Sequence, residues 1–506
     1  MESSKKISQP ATQFLDLEDN VLGILYGMLQ DSASKKALRH SCGALYRSPA
    51  VNAQLDKIVL RVSKAPDDTD EDKLMDYLQA FPVNATLREL TVVNAGDWTA
   101  DIFERALFAK ADGVRERLRS VHRLSLLDCN LETGSNAAYW SLLFSKFGKL
   151  QGGGELDVHD GIVHTSFLSV LSTVASLRRL TVDGCCLDKR AECLSCFNRF
   201  TTLTNFEFDL EYNAEYAATV HALDLAELRQ LESLRLGNMT LDSFDKLLRG
   251  LPCLQKLGLS NVYLPSDVRL ASSTLKELRL SDVGPDFPVL EKDDFPALQT
   301  VLLLHLHLGN RLAEEQSEHA KVMQVFHMAS WLSKHPVKAF STPTGTRMVL
   351  NGSPELSAGL NELMLLALSP LKPCFMSCQA LGVMGFSITT RALVLALCNL
   401  ASNVQFLDLR DSVYSGEVLK CGLLAAVEAM PHLQKVSVQL NSVPRDVLAA
   451  LTAAQQAGRQ LNLDFSWSHS SCQARLQEMR EEWSVLKLRL PGPLTADLSL
   501  PGDFGV

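Results

Sequence analysis

The chain has 506 residues, 46% hydrophobic and 21% charged, a balance that excludes an intrinsically disordered chain; its 12 cysteines are too sparse for a disulfide-stapled scaffold. Its net charge of −9 and pI near 5.8 oppose a protein held to nucleic acid or to an anionic membrane by a broad basic surface, so neither is an expected partner. The longest apolar runs, Leu363 to Leu368 and Ala392 to Ala401, are shorter than the roughly 20 residues of a bilayer-spanning helix, and MESSKKISQPATQ has no apolar stretch of the secretory type. A reduced intracellular protein, cytoplasmic and/or nuclear, is the expectation.

Residues 1–13 are expected to form a flexible N-terminus and residues 14–54 a helical module. In LEDNVLGILYGML, Leu17, Val21, Leu22, Leu25, Tyr26 and Leu29 recur on one side of a short helix or helical pair. The segment ASKKALRHSCGALYRS repeats the pattern, with Leu38, Cys42 and Leu45 on one side and Lys35, Lys36, Arg39 and His40 on the other. In order, spacing and place ahead of repeats, this module resembles the F-box, which docks on the Skp-family adaptor of cullin-RING ubiquitin ligases. Leu17 matches the opening Leu of that pattern, Val21 and Leu22 its first aliphatic pair, Leu25 and Tyr26 its second pair, and Leu29 its terminal Leu. Glu18 stands where the family has Pro, and Leu45 where it has a late Trp. The resemblance implies that Leu17, Val21, Leu22, Leu25, Tyr26 and Leu29 contact the adaptor. A helical cap on the first repeat is the alternative reading of the same hairpin.

The acidic stretch Lys64 to Lys73 reads as a solvated loop. From residue 55 to about 490, apolar residues recur at positions one, four and six of a short unit, as in Leu55/Ile58/Leu60, Leu87/Leu90/Val92, Val121/Leu124/Leu126, Leu177/Leu180/Val182 and Leu203/Phe206/Phe208. The cleanest run starts at Leu231, Leu254, Leu275 and Leu298, steps of 23, 21 and 23 residues. The spacing resumes at Val404/Leu407/Leu409 and Leu433/Val436/Val438 and ends near Leu461/Leu463 and Leu486/Leu488. Several units carry position eleven as well, as in VHRLSLLDCNL, LRRLTVDGCCL and LQKLGLSNVYL, and this pattern resembles the leucine-rich repeat. Position nine, usually Asn or Cys in that family, is Cys129, Cys185 and Asn441 in three units but Met239, Val262 and Leu306 in others.

Helix-period segments lie between the strands. Asp242 to Leu251 has Asp242 as its expected N-cap and Phe244, Leu247, Leu248 and Leu251 on one face; Thr389 to Ala401 and Ser415 to Met430 read alike. VKAF from Val337 and CQALGV from Cys378 are candidate degenerate strands, whereas Leu360/Leu363/Leu365 fits the spacing inside a helical segment. The expected fold is an α/β leucine-rich-repeat solenoid over 55–490, a horseshoe with a concave parallel sheet and convex helices, followed by a loosely packed tail over 491–506.

Candidate chemistry is sparse. Cys185, Cys186, Cys193 and Cys196 have the residue types of a zinc site, but Cys185 holds the repeat's ninth position and the others read as small apolar groups, so no metal is expected. Cys374 and Cys378 have no second pair nearby. His305, His307, His319, His327 and His335 form no ligand motif and read as surface or turn residues, while Gly152 to Gly154 precede a strand and so read as a turn, not a phosphate loop. With no nucleophile elbow or kinase signature, the chain is expected to be no enzyme and to need no cofactor.

Side chains at positions three, five and seven alternate away from the buried set and line the concave sheet. From these, Asp183, Glu207, Asp209, Arg235, Arg279, Leu302, Leu304, Asp408 and Arg410 are the candidate contacts to a protein target. Together with the resemblance at the N-terminus, the sequence predicts the substrate-recognition subunit of a ubiquitin ligase, or alternatively a non-catalytic repeat scaffold.

Overall fold

Position-four and position-six residues are apolar while their neighbours are polar, so each short strand has one face to bury, and burial requires the next strand alongside it. The computed structural model describes residues 57–61, 87–93, 119–131, most of 144–409, 413–414, 429–439 and 462–466; the 14–54 module and the Leu486/Leu488 unit lie outside the described residues. The chain divides into two compact units, Met1–Leu303 with Lys334–Val337, and Leu304–Ser333 with Lys338–Val506.

In the first unit the repeat strands are β1 (Lys57–Arg61), β2 (Glu89–Val93), β3 (Arg123–Leu127), β4 (Glu155–His159), β5 (Arg179–Leu187), β6 (Asn205–Leu210), β7 (Ser233–Asp242), β8 (Lys256–Tyr263), β9 (Glu277–Ser281) and β10 (Thr300–Leu303), with short further strands at Asn130–Leu131, Ile162–Val163 and Ala218–His221. Each repeat strand pairs in parallel with the next, and the register is the repeat itself. Leu90, Leu124, Leu156, Leu180, Phe206, Leu234, Leu257, Leu278 and Val301, all at position four, stand opposite one another across successive strands. None of them is more than 2% exposed. At the Phe206 unit, where aromatics replace leucine, Phe197 packs between Phe206 and Phe208 with ring centroids 4.9 and 5.1 Å away.

One regularity holds the turns. Position eight, where the chain leaves the strand, has a left-handed backbone at Asp128, Asp160, Gly184, Asn238, Asn261 and Asp282, with φ between 50° and 63°. Asn, Asp and Gly are the residues that enter this region at least strain. The helices of this unit include α1 (Thr165–Val174) and α2 (Phe244–Gly250), the latter with Phe244, Leu247 and Leu248 buried as the sequence predicts. Asp242 does not cap α2, because it is still paired in β7, opposite His221. Cys196 falls in a single 3₁₀ turn, Ser195–Arg199, and not in a longer helix.

In the second unit, β11 (His305–His307), β13 (Gly345–Asn351), β14 (Ala380–Met384), β15 (Phe406–Asp408), β16 (Lys435–Gln439) and β17 (Asn462–Ser466) form a parallel series, while β12 (Val337–Thr342) joins β13 antiparallel. The helices α3 (Glu318–Ser333), α4 (Ala358–Ala367) and α5 (Arg391–Leu400) alternate with them. Ser357 and Thr390 cap α4 and α5, accepting from the backbone N–H of Leu360 and Leu393. The strands at VKAF and CQALGV and the helix over Leu360 to Leu365 agree with expectation. No described helix is long and apolar enough to cross a membrane.

Two repeats, at β4 and β13, stand outside the sequence series because their position one is Gly153 and Gly345 in place of an apolar residue. Their positions four and six, Leu156 and Val158, Met348 and Leu350, are fully buried like the others.

Candidate binding face

With positions four and six buried, the side chains at three, five and seven stand in registered rows on the other face of the first unit's sheet. The position-five row runs Asp157, Thr181, Glu207, Arg235, Gly258, Arg279, Leu302, and the position-seven row includes His159, Asp183, Asp209 and Gly237. Not all of these face solvent, as simple alternation expects. Asp157, Thr181 and Asp209 are buried, Asp157 and Asp209 beside arginines of adjoining strands and Thr181 beside Arg179 of its own strand.

Three ionic groups organise the face. Asp157, 1% exposed, accepts from Arg123 Nε at 2.6 Å and Ser125 Oγ at 3.3 Å through Oδ2, while its Oδ1 lies 3.7 Å from Arg179 Nε. Burial disfavours the Arg123 charge, but the hydrogen bond to Asp157 and the nearby Glu155 and Glu89 carboxylates outweigh it and raise its pKa. His159 Nδ1 and Asp183 Oδ2 are 3.3 Å apart; that hydrogen bond raises the imidazole pKa and lowers the carboxyl pKa. Arg235 then spans two strands, donating from Nη1 to Glu207 at 2.6 Å and from Nη2 to Asp209 at 3.4 Å.

Asp209 is the most constrained member. A Cβ on Gly237 would land on its carboxylate, so glycine there makes the room for it. Asn238 Nδ2 donates to Asp209 Oδ1 at 3.0 Å and to the Leu210 carbonyl at 2.6 Å, and Asn261 Nδ2 donates to Asn238 Oδ1 at 2.8 Å. The left-handed residues of position eight thus hold one another and the carboxylate. Burial pushes the Asp209 pKa up to about 6; Arg235 opposes this, while Asp183 and Glu207 add to it.

Beside this network is a groove of about 210 Å³ whose charged lining is Arg179, Glu207, Arg235, Lys256 and Arg279, with Ser233 and Gly258 on its floor. Arg279 Nε donates to Glu277 at 2.5 Å. The structure therefore brings together Asp183, Glu207, Asp209 and Arg235, with Arg279 in the same groove. Leu302 is half-buried on β10, but Leu304 is not on that strand: β10 ends at Leu303, and Leu304, also half-buried, opens the second unit. Asp408 is half-buried on β15 of the second unit; Arg410 and all six adaptor-contact residues lie outside the described residues.

Asp157 and Asn238 are the organising residues that the sequence reading omits. Alternation about Leu156 and Val158 points to the first, and the recurrence of Asp, Asn or Gly two residues after position six points to the second. The cysteines behave as packing groups. The Cys185 thiol is buried, lies 3.4 Å from the Asp183 carbonyl and is pushed up to about 12 by burial, and Cys186 donates to Glu211 at 2.5 Å. Cys193 lies outside the described residues, and among those described no three His, Cys, Asp or Glu residues gather as metal ligands. His305 and His307 are half-buried, with His307 within 3.1 Å of Asn351, and His335 is buried, not at the surface as expected.

No protein-family model matches the chain, and no curated protein matches its sequence. Among solved structures it is similar to the complex of Rad7 and Elc1 in yeast, at 14% identity over 85% of this chain and 90% of that one, with a TM-score of 0.39. It is similar also to a leucine-rich-repeat protein of Leptospira interrogans (15% identity, 83% of this chain and 98% of that one, TM-score 0.38). A third likeness is to an internalin of Listeria monocytogenes (15% identity, 73% and 96%, TM-score 0.34). Likenesses of this size carry no argument about partners. The α/β repeat architecture rests on the registered rows of this chain itself.

Proposed function

We propose that the chain is a non-enzymatic binding protein of the leucine-rich-repeat type, the substrate-recognition subunit of a cullin-RING ubiquitin ligase. Residues 14–54 dock on a Skp-family adaptor, with Leu17, Val21, Leu22, Leu25, Tyr26 and Leu29 buried against it. The open sheet face of the first unit holds a protein target through Asp183, Glu207, Asp209, Arg235 and Arg279, with Leu302, Leu304, Asp408 and Arg410 as further contacts. The observation that carries the binding role is the groove, where ionic side chains from successive parallel strands converge on one open surface. The adaptor role rests on the spacing of the N-terminal residues. In this reading the chain contributes proximity, and the bond-forming chemistry belongs to other subunits.

Calorimetry of the full-length protein with a Skp-family adaptor tests it. Sub-micromolar binding that Leu22→Asp abolishes, with the melting profile unchanged, is the expected result. A well-folded full-length protein that does not bind the adaptor overturns the ligase reading and leaves a repeat scaffold whose first helices serve as a cap.

A further inference from the structure

A helix that packs on a sheet with one side turns the other to water, and that side is normally charged. Helix α2 of the first unit follows the rule: Lys246 and Arg249 are exposed, and Arg249 Nη2 donates to Asp245 at 3.1 Å. Helices α4 and α5 of the second unit do not. On α4 the side chains turned outward are Leu363 and Leu366, 51% and 50% exposed, and the one charged residue of the helix is the half-buried Glu362. On α5 Ala392, Leu395 and Asn399 are exposed. Helix α4 packs against both α3 and α5, and α3 adds Phe326, 40% exposed. Among the described residues, the other large apolar side chains exposed to this degree are Ile162 and Tyr263, both in the first unit. The sequence from 356 to 403 carries Glu362, Lys372 and Arg391 as its charged residues, in a chain that is 21% charged.

Single exposed leucines are ordinary; a group of them on adjoining helices from which charge has been withdrawn is a patch. Its makeup selects among occupants. A face that lies on an anionic membrane is rich in Lys and Arg, whereas this one has few and belongs to a chain of net charge −9. A strongly acidic or basic partner segment finds little to pair with. A second copy of the chain fits both facts. The like net charge of two copies opposes contact through charged faces, so they approach at least cost through a face nearly free of charge. A twofold axis also sets each copy's acid-and-base set against the same set in reverse, which suits a stretch holding one acid and two bases.

The size of the face sets the strength. Ten-residue helices are about 15 Å long and packed neighbours lie about 8 to 10 Å apart, so the three cover about 400 Å² in projection. Two copies then bury about 800 Å² or somewhat more, the small end of the range, where association is reversible and not obligate. We propose that the outer face of α3, α4 and α5 joins two copies of this chain in a reversible twofold dimer, with Leu363, Leu366 and Leu395 at its centre and Phe326 at its edge. The inference goes beyond the adaptor and target roles and depends on neither.

The test is sedimentation velocity of the full-length protein from about 1 to 200 µM, a range that brackets a dissociation constant of micromolar order. The average mass is expected to rise with concentration from that of one chain, 55.7 kDa, toward twice that value. Raised salt is expected to leave the association unchanged or to strengthen it, as for apolar contact. The double variant Leu363→Glu with Leu366→Glu is expected to raise the dissociation constant at least about a hundredfold, because the dimer would bury unpaired carboxylates. Leu366→Lys, a single change of opposite sign, gives an independent reading of the same loss. Both are expected to melt as the parent does, since these side chains are half exposed and Glu and Lys suit a helix. Tyr263→Glu, at an exposed aromatic of the first unit, is expected to dimerise like the parent. A single-chain mass at every concentration, a dimer that persists in both leucine variants, or one that dissociates as salt rises would each overturn the proposal. Co-flotation of a monomeric parent with phosphatidylcholine vesicles, lost in the double variant, would overturn it in favour of a membrane.

Discussion

Asn238 joins the two devices that make the first unit regular, the left-handed turn off the strand and the hydrogen bonds that run from repeat to repeat. Replacing it by alanine removes both. At φ 54° an alanine is held in the left-handed region at a penalty of about 1 kcal/mol or more. The same change deletes the bonds to Asp209 and Leu210 and the acceptor for Asn261, each contributing about 1 kcal/mol. Together these give a loss of about 3 to 4 kcal/mol. Asn238→Gly loses the same three bonds but not the backbone fit, so it is expected to be more stable than Asn238→Ala by about 1 kcal/mol, after allowance for its freer unfolded chain. Urea titration by circular dichroism gives the overall midpoint, and hydrogen exchange over β6 to β8 reads the loss locally, since repeat arrays open in stretches. An alanine variant as stable as the glycine one, or either within about 0.5 kcal/mol of the parent, would refute the assignment of position eight.

Asp209 carries a pH signature whose sign follows from its burial. Its pKa is about 6 in the folded protein and 3.8 when unperturbed, so the folded state binds the extra proton; the contribution of this group to stability is fully present below about pH 4 and is lost as the pH rises through 6. Asp209→Asn is expected to remove that slope from urea midpoints measured between about pH 4 and 7, and an identical slope in the variant would show that the carboxyl is not desolvated as its neighbours imply. In the core, Leu257→Ala at a position-four site only 1% exposed is expected to destabilise the unit by about 2 to 5 kcal/mol through an unfilled cavity, and an unchanged melting midpoint would contradict the registered row.

The fold was legible where a repeat states its rule in apolar residues. Leu177/Leu180/Val182 or Leu254/Leu257/Leu259 carry strand, face and register at once, because in-register stacking of such triplets is the arrangement that keeps all three from water. The rule fades where the first apolar residue is replaced, as at Gly153 and Gly345, although the two remaining positions are buried as deeply as anywhere. It misleads at Leu298 to Leu308, where apolar residues come so densely that several frames fit; hydrophobicity alone does not say that one strand ends at Leu303 and another begins at His305. Asp242 shows the same limit at a boundary, since an Asp before a helical stretch reads as a cap unless the pairing partner, here His221, is known.

The binding face was legible as a set of positions but not as a network. Alternation places Glu207, Asp209, Arg235 and Arg279 on one side of the sheet, yet it treats the four as equivalent, and the structure does not. Asp209 is buried because Gly237 on the next strand leaves space for it, a relation between residues 28 positions apart that only the register reveals. Gly258 makes room for a different neighbour: it is buried, and a Cβ there would stand 3.2 Å from Arg235 Cγ, so glycine lets the stem of that arginine cross the strand. The two glycines lie on adjoining strands, Gly237 on β7 and Gly258 on β8, so the Arg235–Glu207–Asp209 group sits where side chains are missing. The shape of this face is thus set by missing side chains as much as by charges, and both relations become visible only once the strands are placed in register.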